Sequence, residues 1–157
     1  MAYDLHGPWE AATQGAIVRP QTAISDVNNA ITPLWFAGVD PSKLNLGLAA
    51  YGRGYTLSNP ACNTTECPYS GASIKGPCSN EQGILSMREV QVLIQQKGLR
   101  PTMIQGQMVK QVVYGEKGDQ WMGFDDDETW GLKRTWADQL CIGGTVVWSL
   151  DLQTVGT

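Results

Sequence analysis

GGTVVWSLD, residues 143–151, decides how the chain is read. Two glycines end whatever precedes them. An apolar run without polar alternation follows, the pattern of a strand covered on both faces in a parallel sheet. The run then ends in Trp148, Ser149, Leu150 and Asp151. Just before it, DDDETWGLKRTWADQLCIGG predicts a helix capped at Asp126 or Asp127 and stopped at the Gly pair. Asp125, Asp126 and Asp127 are adjacent and point different ways, which suits capping better than metal binding.

Further out lies a second strand, residues 44–51, entered from the turn DPS. Residues 21–36 place Ile24, Val27, Ile31, Leu34 and Trp35 at helical spacing, with Pro33 expected to kink or end the helix. MAYD at the start reads as the end of a short buried strand. Strand, helix and strand then form a right-handed βαβ unit with parallel strands. The interval from Tyr51 to Thr145 is too long for one crossover. An α+β insertion over residues 54–122 is expected, holding a Cys-rich loop, a helix over 84–97 and the short strands QVVYG and QWMGF. Residues 1–53 and 123–157 form the outer α/β framework.

The net charge is −4 with scattered Lys and Arg, which argues against nucleic acid as a partner. No apolar run approaches the roughly 20 residues of a membrane span, and no charged-then-apolar leader opens the chain. Cys62, Cys67 and Cys78 share one loop without a CxxC pair or a nearby His, so disulfides fit better than zinc. Disulfides imply an oxidising compartment, and Asn63-Thr64-Thr65 is a glycosylation sequon. Cys141 reads either as a buried free thiol or as a cysteine whose partner lies outside this chain.

The three strand ends, YD, YGR and WSLD, carry aromatic and charged residues where a buried strand prefers Val, Ile and Leu. Singly, Tyr3, Asp4, Tyr51, Arg53 and Trp148 could each be packing, capping or surface residues. An α/β barrel would gather all of them at one face. An aromatic floor, a Tyr hydroxyl, a carboxylate and an Arg suit a sugar, whose C–H faces stack on indole while its hydroxyls need fixed partners. There is no Gly-rich phosphate loop and no nucleophile elbow, and His6, the single His, reads as a loop residue.

MAYDLHGPW, LGLAAYGRGYTL and GGTVVWSLD resemble successive strand ends of glycoside hydrolase family 18, the chitinases. The Cys-rich insertion resembles that of large secreted fungal-type members. The resemblance implies a partial TIM (β/α)8 barrel, strands six to eight, with the chitinase insertion subdomain between strands seven and eight. A complete barrel takes about 250 residues, so it also implies that the N-terminal half, strands one to five, is a missing partner. It implies an extracellular protein, no cofactor, and chitin or N-acetylglucosamine oligosaccharides as the ligand.

The same resemblance assigns roles. Met1 would line the acetamido pocket, Tyr3 would hold the N-acetyl group, and Asp4 would stand beside the catalytic acid. Trp9 would stack on the leaving-group side, Tyr51 and Arg53 would bind sugars around the cut, and Trp148 would floor the central subsite. The family's reaction is substrate-assisted, with the acetamido oxygen attacking the anomeric carbon. Its Asp-x-x-Asp-x-Asp-x-Glu run, whose Glu is the general acid, occurs nowhere in the 157 residues. The chain is therefore expected to bind sugar without cleaving it. A non-catalytic chitin-binding protein, or a truncated gene product with no function of its own, are the alternatives.

Overall fold

The computed structural model describes residues 1–153. The helices are α1 (Ala11–Gln14), α2 (Ile24–Phe36), α3 (Met87–Lys97) and α4 (Asp127–Gln139). The strands are β1 (Asn45–Ala49), β2 (Tyr51–Leu57), β3 (Tyr69–Ala72), β4 (Ile84–Ser86), β5 (Thr102–Ile104), β6 (Val109–Tyr114), β7 (Gln120–Phe124) and β8 (Gly144–Trp148).

Two sheets share these strands. β1 and β8 pair in parallel, Asn45 opposite Gly144 through Ala49 opposite Trp148. The other sheet is antiparallel, in the order β3-β2-β7-β6-β5, with β4 also on β2. The apolar run expected as one strand over 44–51 is thus the start of two, parted at Ala50. The Ala50 N–H donates to the Trp148 carbonyl (2.7 Å), and its own carbonyl accepts from Met87 (2.9 Å).

MAYD differs from expectation: residues 1–4 form no strand. They run beside β1, close enough that a Cβ on Gly47 would meet the Tyr3 ring at 2.8 Å and the Met1 and Ala2 backbone at 3.3 Å. Asp4 leaves the extended region altogether, at φ 58°. Aspartate tolerates that left-handed conformation better than most residues. Pro33 lies inside α2 near its C-terminus rather than ending it.

The cores follow from strand alternation. On the barrel side Ile24 and Val27 of α2, Leu46 and Leu48 of β1, and Trp130 and Ala137 of α4 pack together. In the antiparallel sheet, Trp121 of β7 faces Tyr55, Leu57 and Tyr69. Its neighbours Met122 and Phe124 face Leu85, Val90 and Val112 under α3. α4 begins at Asp126, whose carboxylate accepts from the Thr129 N–H (3.1 Å). Behind it Lys133 lies against both oxygens of Asp125 at 2.7 Å, each residue almost fully buried. This burial lowers the Lys133 ammonium from its usual value, while Asp125 opposes the shift.

Cys62 and Cys67 form a disulfide, and Cys78 is free. Cys141 is free and exposed, at φ 57° just past α4, so the buried-thiol alternative is corrected.

Candidate functional site

The repeat Tyr51-Gly52-Arg53-Gly54-Tyr55 explains how β2 delivers its side chains. A Cβ on Gly52 would meet Met122 Sδ at 2.7 Å, and one on Gly54 would meet Met122 Cε at 2.7 Å. The glycines let the Met122 side chain of the paired strand β7 lie across one face. Tyr51 and Arg53 then project together from the other.

There they meet Asp4. Tyr51 Oη and Arg53 Nε each donate to Asp4 Oδ1, both at 2.6 Å. Asp4 is held in turn by Gln21, which is 1% exposed. Gln21 Oε1 accepts from the Asp4 N–H (3.2 Å), its Nε2 donates to the Tyr51 carbonyl (3.0 Å), and its own carbonyl accepts from Leu5 (3.1 Å). One buried amide therefore fixes Asp4 against β2. Partial burial would raise the Asp4 carboxyl, but the bonds from Arg53 and Tyr51 and the Arg53 charge hold it below the ordinary value. Tyr51 is shifted upward, first by burial and then by donating to Asp4. Among the described residues Asp4 Oδ2 makes no hydrogen bond.

Aromatic rings surround this core. Tyr3 meets Tyr51 edge-on at 6.2 Å and stacks with Trp148 at 6.4 Å. Trp148 closes β8 and is 56% exposed, while Tyr3 is 9% exposed. On the other side the Arg53 guanidinium lies 4.6 Å from the Trp9 ring centroid and 5.8 Å from that of Tyr51. Trp9 can lie there because residue 7 is glycine: a Cβ would sit 2.0 Å from the indole. Its loop is braced by His6, whose Nδ1 lies 3.0 Å from both Glu10 oxygens and whose Nε2 lies 3.2 Å from Asp26. His6 is thus a brace between the first loop and α2, more than the loop residue expected.

Tyr3, Asp4, Trp9, Tyr51, Arg53 and Trp148 converge on one open face. Met1 stands apart from them, 93% exposed, at a cavity of about 170 Å³ lined also by Leu5, Val27, Ile31 and Leu34. Asp151 does not join the face; it accepts from Ser149 in the turn after β8. Gln21 and His6 were missed as positioning residues.

Residues 1–153 match the family model of the glycosyl hydrolases family 18. The chain belongs to glycosyl hydrolase family 18. Among relatives in this family, human chitinase-3-like protein 2 is 30% identical over 161 residues, spanning 97% of this chain and 40% of that protein. Mouse chitotriosidase-1 is 31% identical over 160 residues, spanning 97% and 32%. A class V chitinase mutant from Cycas revoluta in complex with (GlcNAc)3 superposes with a TM-score of 0.80 at 29% identity, covering 97% of this chain and 41% of that one. Human YKL-39, described as a pseudo-chitinase with retained chitooligosaccharide binding, superposes at 0.85 with 27% identity, covering 97% and 43%. The chain thus spans less than half the length of these family 18 proteins. Its parallel β1–β8 pair with flanking helices is part of a TIM barrel, and the antiparallel sheet is an insertion.

Proposed function

We propose that this chain supplies one wall of a chitooligosaccharide site and binds β-1,4-linked N-acetylglucosamine there without cleaving it by itself. The observation that carries the reading is Asp4: one carboxylate oxygen is saturated by Tyr51 and Arg53, the other is open, and exposed Trp9 and Trp148 flank it. A sugar with an acetamido group needs that combination of fixed polar partners and flat apolar surfaces. Tyr3, under Trp148, is the residue proposed to hold the N-acetyl group; Met1, apart from this face, is given no part in it. Solved relatives carry (GlcNAc)3 or retain chitooligosaccharide binding, which supports this choice of ligand.

Hydrolysis needs a proton for the leaving oxygen, and general acid catalysis is typically worth about a hundred- to ten-thousand-fold. With no Asp-x-x-Asp-x-Asp-x-Glu run in the sequence, the proposed role is binding, as part of a substrate-assisted retaining enzyme when joined to an acid from elsewhere. Residues 54–122 are proposed as the insertion subdomain and 1–53 with 123–157 as the barrel part. An extracellular location is proposed on the Cys62–Cys67 disulfide. A fluorogenic chitobioside assay together with calorimetric titration of chitotetraose tests the reading. Binding without turnover is expected. Turnover above the blank that disappears in Asp4→Asn would refute the inactive half, and absence of binding by folded protein would refute the site.

A further inference from the structure

The loop closed by Cys62 and Cys67 carries a feature that the sugar-binding face does not use. Its tip is Asn63-Thr64-Thr65, an N-x-Thr acceptor sequence. Asn63 and Thr64 are exposed, and Thr65 is half-buried. Among the described residues, no hydrogen bond reaches the side chains or backbone of these three. The base of the loop is the opposite. Val18 donates to the Cys67 carbonyl (2.9 Å) and accepts from Glu66 (3.0 Å), Ser58 donates to Pro68 (3.0 Å), and Cys62 donates to Asn59 (3.0 Å). Cys67 is 2% exposed. The loop is thus an anchored base with an uncommitted acceptor at its crest.

We propose that Asn63 is an N-glycosylation site, and that it is modified before Cys62 and Cys67 pair. The proposal rests on the secretory reading given above, since both reactions belong to that compartment. In the reaction Asn63 Nδ2 attacks the anomeric carbon of an oligosaccharide carried on a polyprenyl pyrophosphate. A C–N bond forms, the C–O bond to pyrophosphate breaks with its electron pair, and the amide gives up one proton. Nothing is oxidised or reduced. An amide nitrogen is a poor nucleophile, so the transferring enzyme must grip an extended acceptor and turn the amide out of conjugation. Asn63 directly follows Cys62, and the disulfide spans a sequence separation of 5. Once that ring has closed on a base clamped to Val18, the segment cannot be drawn out. Carbohydrate addition and ring closure therefore compete for the same residues, and the order runs sugar first.

The test uses the whole chain delivered to the endoplasmic reticulum lumen behind an added leader, with total cell lysate analysed so that poor secretion does not hide the result. Two readouts are taken: the gel shift removed by peptide-N-glycosidase, which leaves Asp at position 63, and alkylation of free thiols. Asn63→Gln and Thr65→Ala should both abolish the shift, while Thr65→Ser and Thr64→Ala should keep it. Cys67→Ser should raise the modified fraction to completion if the wild type is partly occupied. An unmodified wild type in which Cys62 and Cys67 are oxidised would overturn the proposal while leaving the secretory reading intact. An unmodified wild type in which Cys62 and Cys67 are reduced would overturn both. Where the wild type is partly occupied, equal or lower occupancy in Cys67→Ser would overturn the order; a fully occupied, oxidised wild type bears the order out.

Discussion

Asp4 accepts two hydrogen bonds on one oxygen from the two side chains that β2 pushes toward it. Its carboxyl is lowered in the folded protein, so the charged form is the one the fold favours. The linkage then has a definite sign. The contribution is present above the unfolded aspartate value of about 3.9 and is lost as pH falls through the lower folded value. A carboxyl-carbon NMR titration should place the Asp4 midpoint below 3.9, and Arg53→Met should raise it. An unchanged midpoint in that variant would show that Arg53 does not hold the charge. Trp148 calls for a different experiment. At 56% exposed it has little to lose as packing, so Trp148→Ala should leave the melting temperature within a few degrees, unlike a buried Trp, whose loss costs about 3–5 kcal/mol. Chitotetraose affinity should fall about two- to tenfold, matching the roughly 0.5–1.5 kcal/mol of an aromatic stack. A variant that binds as well as wild type, or weakens only as it unfolds, would remove Trp148 from the site. These residues were readable in the sequence because each closes an apolar run with an out-of-place aromatic or charge. Gln21 was not readable. It acts on residues 17 and 30 positions away, and a single amide between Pro20 and Thr22 breaks no periodicity.

At the scale of elements, α3 depends on one carboxylate. Glu89 accepts from Ser86 N–H (2.8 Å) and Ser86 Oγ (2.9 Å) in a capping box, and also from the N–H groups of Cys78 (2.7 Å) and Ser79 (3.0 Å). It therefore fixes the loop before β4 as well as the start of the helix. Burial would push its carboxyl up, but the N–H donors of Ser79, Ser86 and Cys78 bring it below the ordinary value. Its stabilisation is present above the unfolded glutamate value of about 4.3 and fades as pH falls through the lower folded value. Glu89→Gln should cost about 1–3 kcal/mol at neutral pH, the range for stranding buried donors. Thermal melts as a function of pH should show the difference from wild type shrinking in acid. A gap that stays constant to pH 3 would mean the charge is not what matters. The sequence, which predicts this helix over 84–97, misses that Ile84–Ser86 pair with β2 as β4 and that the helix begins only at Met87, behind the Ser86 cap. It shows the first strand poorly. MAYD has the composition of a strand, but the hydrogen bonds it makes pull Asp4 into the left-handed region to meet Gln21 and Arg53. Tertiary partners outweigh local pattern there. The apolar run around Ala50 likewise hides a change of sheet, because a strand that passes from one sheet into another leaves no polar mark.

For the molecule as a whole, the two sheets are unequally covered. β7 is buried along its full length, whereas in β8 Thr145, Val146 and Trp148 are exposed, Val146 by 53%. Among the described residues β8 pairs only with β1, leaving an uncharged, apolar edge of the kind that recruits other strands. The chain should therefore self-associate with rising concentration in analytical ultracentrifugation. Hydrogen exchange should be slowest in β2, β6 and β7 and fastest in β8. Val146→Lys should reduce the association without unfolding the antiparallel sheet. A wild-type monomer at all concentrations, melting in one sharp transition, would contradict this.

Ala50 gives the two sheets a mechanical relation. A single residue separates β1 from β2, and both of its peptide groups are already hydrogen-bonded, to Trp148 and to Met87. No torsion there is free to act as a swivel. The antiparallel sheet is mounted like a beam clamped at both ends, once where Tyr51 leaves the parallel pair and again in the turn after β5, where the Gln107 carbonyl accepts from the Ile24 N–H (3.0 Å) and its side-chain oxygen from Ser25 Oγ (2.7 Å). Bending of such a beam is greatest between its clamps, so displacement should be smallest at Tyr51 and Arg53 and at Gln107. A sugar chain dragging on the outer sheet would deflect its span while the two side chains that grip Asp4 stay in register.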